Sequence, residues 1–277
     1  AGACLLAGTA VSAADIPSAL PSAELPSLPD YGASDTYSRS YGSLPESYDS
    51  RKLGLITPVR NQNPWGTCWA FGALGAGEAS LIKKGLADPS VDLSELHLSY
   101  FFFHSPTDPL GNTKNDSVSL PAAAANYLES GGNNLFTMFE LASWTGAASE
   151  TLAPYENSST VPSLNSSLAY EDTAHLQNAR FVSTADLNSV KKLIMEYGAV
   201  SSAFYYDSRY LSSSSSYYYP KVASYNNHIV TLVGWDDNYA AYHFNEGSRP
   251  SASGAWIAKN SHGTSFGDGG YFYISYE

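Results

Sequence analysis

The sequence is poor in cysteine, in charge and in long apolar runs. Only two of its 277 residues are cysteines, which leaves no room for a disulfide framework. Charged residues make up 14% of the chain, against about 25% in an average protein. The 26 acidic and 14 basic residues give a formal net charge of −12, so nucleic acid is not expected as a partner. No apolar run approaches the roughly 20 residues of a membrane span, and none is expected.

What the chain does have is length, apolar residues, tyrosine and glycine. It is about twice the size of a typical domain, so it forms either one large domain or two lobes with a sizeable core. Hydrophobic residues make up 43% of the chain, with 21 tyrosines and 22 glycines. This composition is typical of a globular protein whose surface is polar but largely uncharged.

The first residues indicate the compartment. Residues 1–13 are small, apolar and uncharged, and Val11-Ser12-Ala13 has the small-x-small form that signal peptidase cuts. We interpret this segment as the back half of an export signal whose front half is missing, so that a secreted or cell-surface protein is expected. The alternative is a disordered Ala/Gly tail. Cys4 would leave with the signal.

Residues 14–43 are rich in Pro, Ser and Ala and poor in aliphatic residues, which predicts a short leader, a propeptide or a linker. After removal of the signal, Cys68 would be the one remaining cysteine, in a compartment where thiols normally pair. A cysteine that stays unpaired in such a compartment has to be explained by its function or by its packing. It is either a reactive group or a small buried hydrophobic residue.

Helical patterns dominate the first half of the chain and strand patterns the second. Apolar residues at helical spacing from Ala70 to Leu81, followed by Lys83-Lys84-Gly85, predict a helix that starts at Cys68. Further helices are predicted from about 94, over 121–128, over 135–143 and over 187–197. Strands are predicted over 199–206, 228–235, 254–259 and 270–276. The serine- and tyrosine-rich stretch 212–219 is predicted to be a surface loop.

The stretch 58–71 combines a loop with the start of that first helix. It brings Cys68 to a helix N-terminus, where unpaired amides and the helix dipole stabilise a thiolate. Gln62, six residues earlier, has a side-chain amide that can donate to an anion forming beside the sulfur. This pattern is typical of a nucleophilic cysteine.

These residues resemble the nucleophile segment of the papain family of cysteine peptidases, which has the same Gln, Gly, Cys, Trp, Ala and Phe in the same order. Two later segments extend the resemblance. Residues 227–235 resemble the family's histidine strand, and Trp256 to Ser261 with the following glycines resemble its asparagine segment. Weaker similarities lie at Leu44-Pro45 to Arg51, Leu93-Ser94-Glu95, Gly131-Gly132 and Pro154-Tyr155.

The resemblance covers residues 44–277 and implies the fold. We expect an α+β papain-like fold with a helical lobe over about 55–165 and an antiparallel, β-rich lobe over about 170–277. The active-site cleft would lie between the two lobes. No cofactor and no metal are implied, and the oligomeric state is left open.

The resemblance also implies roles for particular residues. Cys68 would be the nucleophile, His228 the base that takes its proton, and Asn260 the residue that orients the imidazole. Gln62 and the backbone N–H of Cys68 would form the oxyanion hole. Substrate binding is expected at a glycine pair and at the residue before the histidine, namely Gly131, Gly132 and Asn227.

Other polar residues are weaker candidates. Asp236 and Asp237 are alternatives to Asn260 but follow the end of a strand. The remaining histidines lack comparable flanking motifs and are interpreted as structural; these are His97, His104, His175, His243 and His262.

Two departures from the family pattern stand out. Trp65 replaces a cysteine that usually forms a disulfide, so stability must come from packing. His262 replaces the Trp that commonly shields the Asn–His hydrogen bond.

The sequence therefore predicts a secreted cysteine endopeptidase that acts on peptides or proteins. Two other classes stay open. Another Cys–His acyl-transfer enzyme, such as a transglutaminase-like protein or a cell-wall amidase, would share the residue order but not the motif over 62–71. A catalytically inactive surface or binding module would keep the fold, but it predicts a broken triad.

Overall fold

A computed structural model of the chain describes residues 43–104 and 126–277. After one short strand, its helices come first and its other strands later. In order they are β1 (Ser47–Asp49), α1 (Cys68–Lys83), α2 (Glu95–Phe103), α3 (Asn134–Ala142), α4 (Leu187–Tyr197), β2 (Val200–Phe204), β3 (Ser216–Tyr217), β4 (His228–Asp236), β5 (Ala255–Lys259) and β6 (Tyr271–Ser275). None of the helices in these two ranges is long and apolar enough to cross a bilayer.

The helical lobe is built by α1, α2 and α3 around an aromatic core. Trp69, Phe102 and Phe136 are buried in this core, together with Trp65. Side-chain caps start the two shorter helices: Ser94 accepts from the third amide of α2, and Asn133 does the same for α3. Trp65 thus contributes packing at the position where the family pattern has a disulfide cysteine.

The β lobe is one six-stranded sheet in which β4 has three neighbours. β1, β2 and β5 all pair with β4 in antiparallel register, β6 pairs antiparallel with β5, and β3 is parallel to β6. α4 covers the sheet and buries Val190 and Ile194 against Leu232 and Trp235. Because β4 is central and buried, its first residue, His228, has a fixed position.

The two lobes meet where α1 packs on β4. A side chain at Gly72 would come within 2.7 Å of the Ile229 side chain, and one at Gly75 within 2.7 Å of the Thr231 hydroxyl. The Thr231 hydroxyl donates to the Gly72 carbonyl at 3.0 Å. The missing side chains let the helix backbone approach the strand closely. This contact sets the helix that begins at Cys68 against the strand that begins at His228.

The structure confirms most of the predicted elements. The helices predicted from Cys68, from about 94, over 135–143 and over 187–197 are present, as are the four predicted strands. Of the helix predicted over 121–128, residues 121–125 lie outside the described residues, and Tyr127–Glu129 form a 3₁₀ turn.

The prediction of a surface loop over 212–219 is wrong in part. Ser216–Tyr217 form β3, and Tyr217 is buried with its hydroxyl donating to the Tyr205 carbonyl at 2.6 Å. The low-complexity composition hid a residue that packs in the core of the β lobe. Strand β1 was not predicted, because its three residues carry no alternation that could be recognised.

Candidate active site

The nucleophile side of the site is placed by backbone. Cys68 is the first residue of α1 and is partly buried as a free thiol. The turn before it is held by Tyr155, whose hydroxyl donates to the Gln62 carbonyl at 2.6 Å and lies 2.7 Å from the Thr67 hydroxyl. Burial raises the pKa of the Cys68 thiol to about 11, whereas hydrogen bonds from the amides of Ile229 and Trp69 favour the thiolate. The Ile229 contact brings the sulfur next to the start of β4.

The base side of the site is placed by side chains. The Nε2 atom of His228 lies 2.7 Å from Oδ1 of Asn260, and the same oxygen accepts from the Ser261 amide at 2.9 Å. A carbonyl oxygen only accepts, so Nε2 carries the hydrogen and Nδ1 is left to act as the base. The imidazole is buried against the rings of Phe204 and Tyr206. This burial lowers the pKa of His228 to about 4, against the effect of the Asn260 hydrogen bond.

Burial opposes a charge on the thiol or on the imidazole alone, but it opposes a pair of opposite charges less. Burial alone opposes a lone thiolate at Cys68 and a lone imidazolium at His228. Moving the thiol proton to the imidazole creates both charges at once, and their mutual attraction offsets part of each burial cost. Sharing of one proton between Cys68 and His228 stays a prediction.

Gln62 links the loop before Cys68 to the segment after Asn260. Its backbone N–H donates to the Ser261 carbonyl at 2.7 Å, and its Oε1 accepts from the Ser261 hydroxyl at 2.6 Å. Its Nε2 donates to the Trp65 carbonyl at 2.8 Å. The amide nitrogen carries two hydrogens, so the second one can serve an oxyanion.

His262 contacts this site in a way that the sequence did not predict. Its Nδ1 lies 3.2 Å from the Nδ2 of Asn260, and its ring centroid is 5.0 Å from that of His228. The sequence predicts a structural role for His262 and places it in the asparagine segment, at the position where the family pattern has a shielding Trp, but it does not predict the contact with the Asn260 amide.

The contacts of the predicted substrate-binding residues explain why glycine or asparagine stands at each position. A side chain at Gly132 would come within 2.4 Å of the Trp69 ring, and Gly131 has a φ of +70°. Asn227 bonds the backbone of Tyr206 twice, accepting at Oδ1 and donating from Nδ2. A role in substrate binding stays a prediction for all three.

The alternative third members of the triad lie elsewhere. Asp236 is the last residue of β4, at the opposite end of the strand from His228. Asp237 bonds the Lys191 ammonium and accepts from the Tyr276 hydroxyl. Neither aspartate is paired with His228.

Below the site, a buried network of charges ties the lobes together. Glu78, on α1, is completely buried and accepts from the Arg60 guanidinium at 2.8 Å and from the Thr57 hydroxyl. Thr57 in turn accepts from the Lys259 ammonium of β5 at 3.0 Å. Lys259 precedes Asn260, so this network fixes the end of β5 from which Asn260 extends.

One cluster of carboxylates in the described residues has the spacing of a metal site. Asp92, Glu95 and Glu150 place oxygens within 4.8 Å of one another. The Arg60 guanidinium lies 2.8 Å from Asp92 and 3.7 Å from Glu95 and already supplies positive charge there. Burial also raises the pKa of Glu150 to about 7 and that of Glu95 well above its ordinary value, so protons can neutralise the remainder. Arg60 and these raised pKa values reduce the negative charge of the cluster.

Comparison with known proteins places this site in a family. A family model described as papain family cysteine protease matches residues 44–99 and 122–277. A senescence-specific cysteine protease of Arabidopsis thaliana is 30% identical over 244 residues, covering 85% of this chain and 58% of its own length. Cathepsin L2 of Homo sapiens is 30% identical over 233 residues, which cover 84% of this chain and 61% of the cathepsin. The chain thus spans about three fifths of these relatives.

Solved structures agree with the sequence comparisons. The protease and lectin-like domains of a surface layer associated protein of Clostridium difficile share 31% identity and a TM-score of 0.68, covering 86% of this chain and 49% of that one. The bromelain protease from Ananas comosus shares 25% identity and a TM-score of 0.58, covering 84% and 90%. These matches confirm the predicted α+β papain-like fold. The chain therefore belongs to the papain family of cysteine proteases.

Proposed function

We propose that this chain is a cysteine endopeptidase in which Cys68, His228, Asn260 and Gln62 carry the chemistry. The observation that carries the proposal is the juxtaposition at the start of α1. The sulfur accepts from the amide next to His228, and His228 in turn is bonded to Asn260 at 2.7 Å. These contacts support a nucleophile, a base and an orienting group that act in series.

The proposed reaction begins with proton transfer from the Cys68 thiol to Nδ1 of His228. The sulfur then attacks the carbonyl carbon of a peptide bond and forms a tetrahedral oxyanion. When this intermediate collapses, the C–N bond breaks and the imidazolium protonates the leaving amine. Water, deprotonated by the imidazole, hydrolyses the acyl-enzyme and restores the thiol.

The oxyanion would be stabilised by two donors. One is the backbone N–H of Cys68, which has no partner within the helix because it lies at the N-terminus of α1. The other is the second Nε2 hydrogen of Gln62, whose side chain is held at both ends by Trp65 and Ser261. A donor fixed in this way costs no reorganisation when charge develops on the substrate.

The direct test is peptide hydrolysis by Cys68→Ala, with His228→Ala as a second variant. We expect either change to lower kcat/KM by about 10⁴-fold or more, because the attacking group or its base is gone. Circular dichroism should show the wild-type spectrum, since both changes remove atoms without adding any. Near-normal turnover by Cys68→Ala would contradict the proposed function.

We also propose that the protein is exported and that residues 14–43 form a leader. The first proposal rests on the cleavage pattern at Val11-Ser12-Ala13, and the second on the Pro/Ser-rich composition before Leu44. If the leader blocks the cleft, truncation to Ser43 raises the hydrolysis rate, and the excised peptide inhibits when added back. An unchanged rate would identify the segment as a linker.

A further inference from the structure

The amide of Asn260 is bonded on both sides, and only one of its partners belongs to the triad. Its oxygen accepts from Nε2 of His228 and from the Ser261 amide, whereas its nitrogen lies 3.2 Å from Nδ1 of His262. An amide nitrogen only donates, so Nδ1 of His262 must be the acceptor. This requires a neutral His262 that carries its hydrogen on Nε2.

The contacts around Asn260 favour one orientation of its amide. If the amide were turned over, its NH₂ group would face the Ser261 N–H, which is a fixed donor, and donor would meet donor. His228 and His262 would both have to change tautomer to follow the turned amide, and a buried polar group without a partner is costly. Asn260 is 2% exposed, so water cannot relieve the mismatch.

His262 is itself held in place by its surroundings. Its backbone forms a bridge with Asn61, next to Gln62, and its ring packs 5.5 Å from the Phe266 ring and 5.0 Å from the His228 ring. Burial lowers its pKa, which favours the neutral form that can accept from Asn260. The ring thus packs near the His228 ring and offers an acceptor to the Asn260 amide.

We propose that His262 is a positioning residue: it accepts a hydrogen bond from the Asn260 amide and so holds the Asn260 oxygen toward His228. By fixing this oxygen, His262 fixes the hydrogen on Nε2 of His228 and leaves Nδ1 free to face the thiol. The inference rests on the proposed function, because it assigns His262 to the same triad.

Two substitutions separate the acceptor from the ring. His262→Phe keeps the ring and removes the acceptor. His262→Asn removes the ring and offers Oδ1 at the same number of bonds from Cα as Nδ1. The matched control is His243→Phe, because His243 packs on Tyr239 and Tyr242 and has no contact with the triad residues.

We expect His262→Phe to lower kcat about tenfold with little change in KM, and His262→Asn to stay within about threefold of the wild type. His243→Phe should match the wild type. If His262 acts through Asn260, then His262→Phe has no further effect once Asn260→Ala is present, because coupled residues are not additive. Should His262→Phe fail to fold, His262→Ala and His262→Asn both lack the ring and differ in the acceptor, so a higher kcat in His262→Asn than in His262→Ala supports the inference and equal values contradict it.

Three results with the His262 variants would overturn the inference. These are an unchanged kcat in His262→Phe, an equal loss in His262→Asn, and multiplicative losses in the double variant with Asn260→Ala. Failure of the proposed function is distinguishable, because it would appear as retained hydrolysis in Cys68→Ala. If Cys68→Ala is inactive and Asn260→Ala is fully active, the peptidase proposal stands while the role of His262 is refuted.

Discussion

The two sides of the site are built by different means. On the helical side, Cys68 is placed by main chain: the start of α1, the turn held by Tyr155 and the close contact between Gly72 and β4. On the β side, the imidazole of His228 is placed by the hydrogen bond that it donates to the side chain of Asn260, which lies just beyond β5. Backbone placement depends on a short local motif, whereas side-chain placement depends on residues distant in sequence. Substitutions on the two sides should therefore differ in how much activity they remove and in which kinetic constant they change.

The largest effect among the auxiliary residues is expected for Gln62→Ala. It removes a donor that the proposed mechanism uses only when charge develops on the substrate, so kcat should fall about 10²–10³-fold. KM should change little. Steady-state kinetics with a small peptide substrate checks this, and the loss of the Ser261 contact can be controlled with Ser261→Ala. A loss confined to KM would place Gln62 in substrate binding instead.

A smaller loss is expected for Asn260→Ala, on the β side. His228 would keep its proton-transfer capacity but lose the group that orients its ring, so we expect kcat to fall about 10- to 100-fold. Steady-state kinetics beside His228→Ala provides the comparison. Equal and complete losses in both variants would show that Asn260 is needed for folding, which thermal unfolding would reveal.

The junction between the two sides can be disturbed at Gly72. Gly72→Val would force a side chain into the space of Ile229 and Ser201, and overpacking of this kind costs about 1–3 kcal/mol of stability. Both the urea midpoint and kcat should fall, because Cys68 and His228 move relative to each other. Gly247→Val is the control, since nothing lies within 4 Å of that position. Equal midpoints in the two variants would mean that the close contact does not matter.

The pH dependence of kcat/KM tests whether the two groups act as a pair. Burial lowers the pKa of His228 to about 4 and raises that of Cys68 to about 11. The pair made by the Cys68 thiol and the neutral His228 imidazole therefore gains a second proton only at low pH. It loses its remaining proton only at high pH. We expect activity to be flat around neutrality, with an acid limb well below the ordinary histidine value of 6.5. An acid limb near 6.5 would indicate an exposed, independent imidazole.

The contrast between the sides also explains what the sequence could predict. The helix that starts at Cys68 is predicted by the spacing of its apolar residues and by the glycine that follows it. The motif around Cys68 is continuous in sequence, so the helical side of the site could be predicted. His228 and Asn260 could be recognised only through their flanking residues. The position of His262 beside Asn260 follows from the sequence, but its hydrogen bond to the Asn260 side chain does not, because no periodicity reports such a contact.

Strand β3 was missed for a related physical reason. Serine and tyrosine runs are typical of surface loops, yet Tyr217 is buried because its hydroxyl reaches the Tyr205 carbonyl and its ring packs against Phe204. A partner elsewhere in the fold decided the outcome. Low-complexity composition alone could not predict which tyrosine would be buried.

The most direct measurement of the central claim is the rate of Cys68 alkylation by iodoacetamide as a function of pH, in the wild type and in His228→Ala. If the imidazole takes the thiol proton, the wild type should react rapidly near pH 6, where an isolated buried thiol is protonated. His228→Ala should react at least about 100-fold more slowly at that pH and recover only in alkali. Identical profiles for the two proteins would show that Cys68 and His228 do not share a proton.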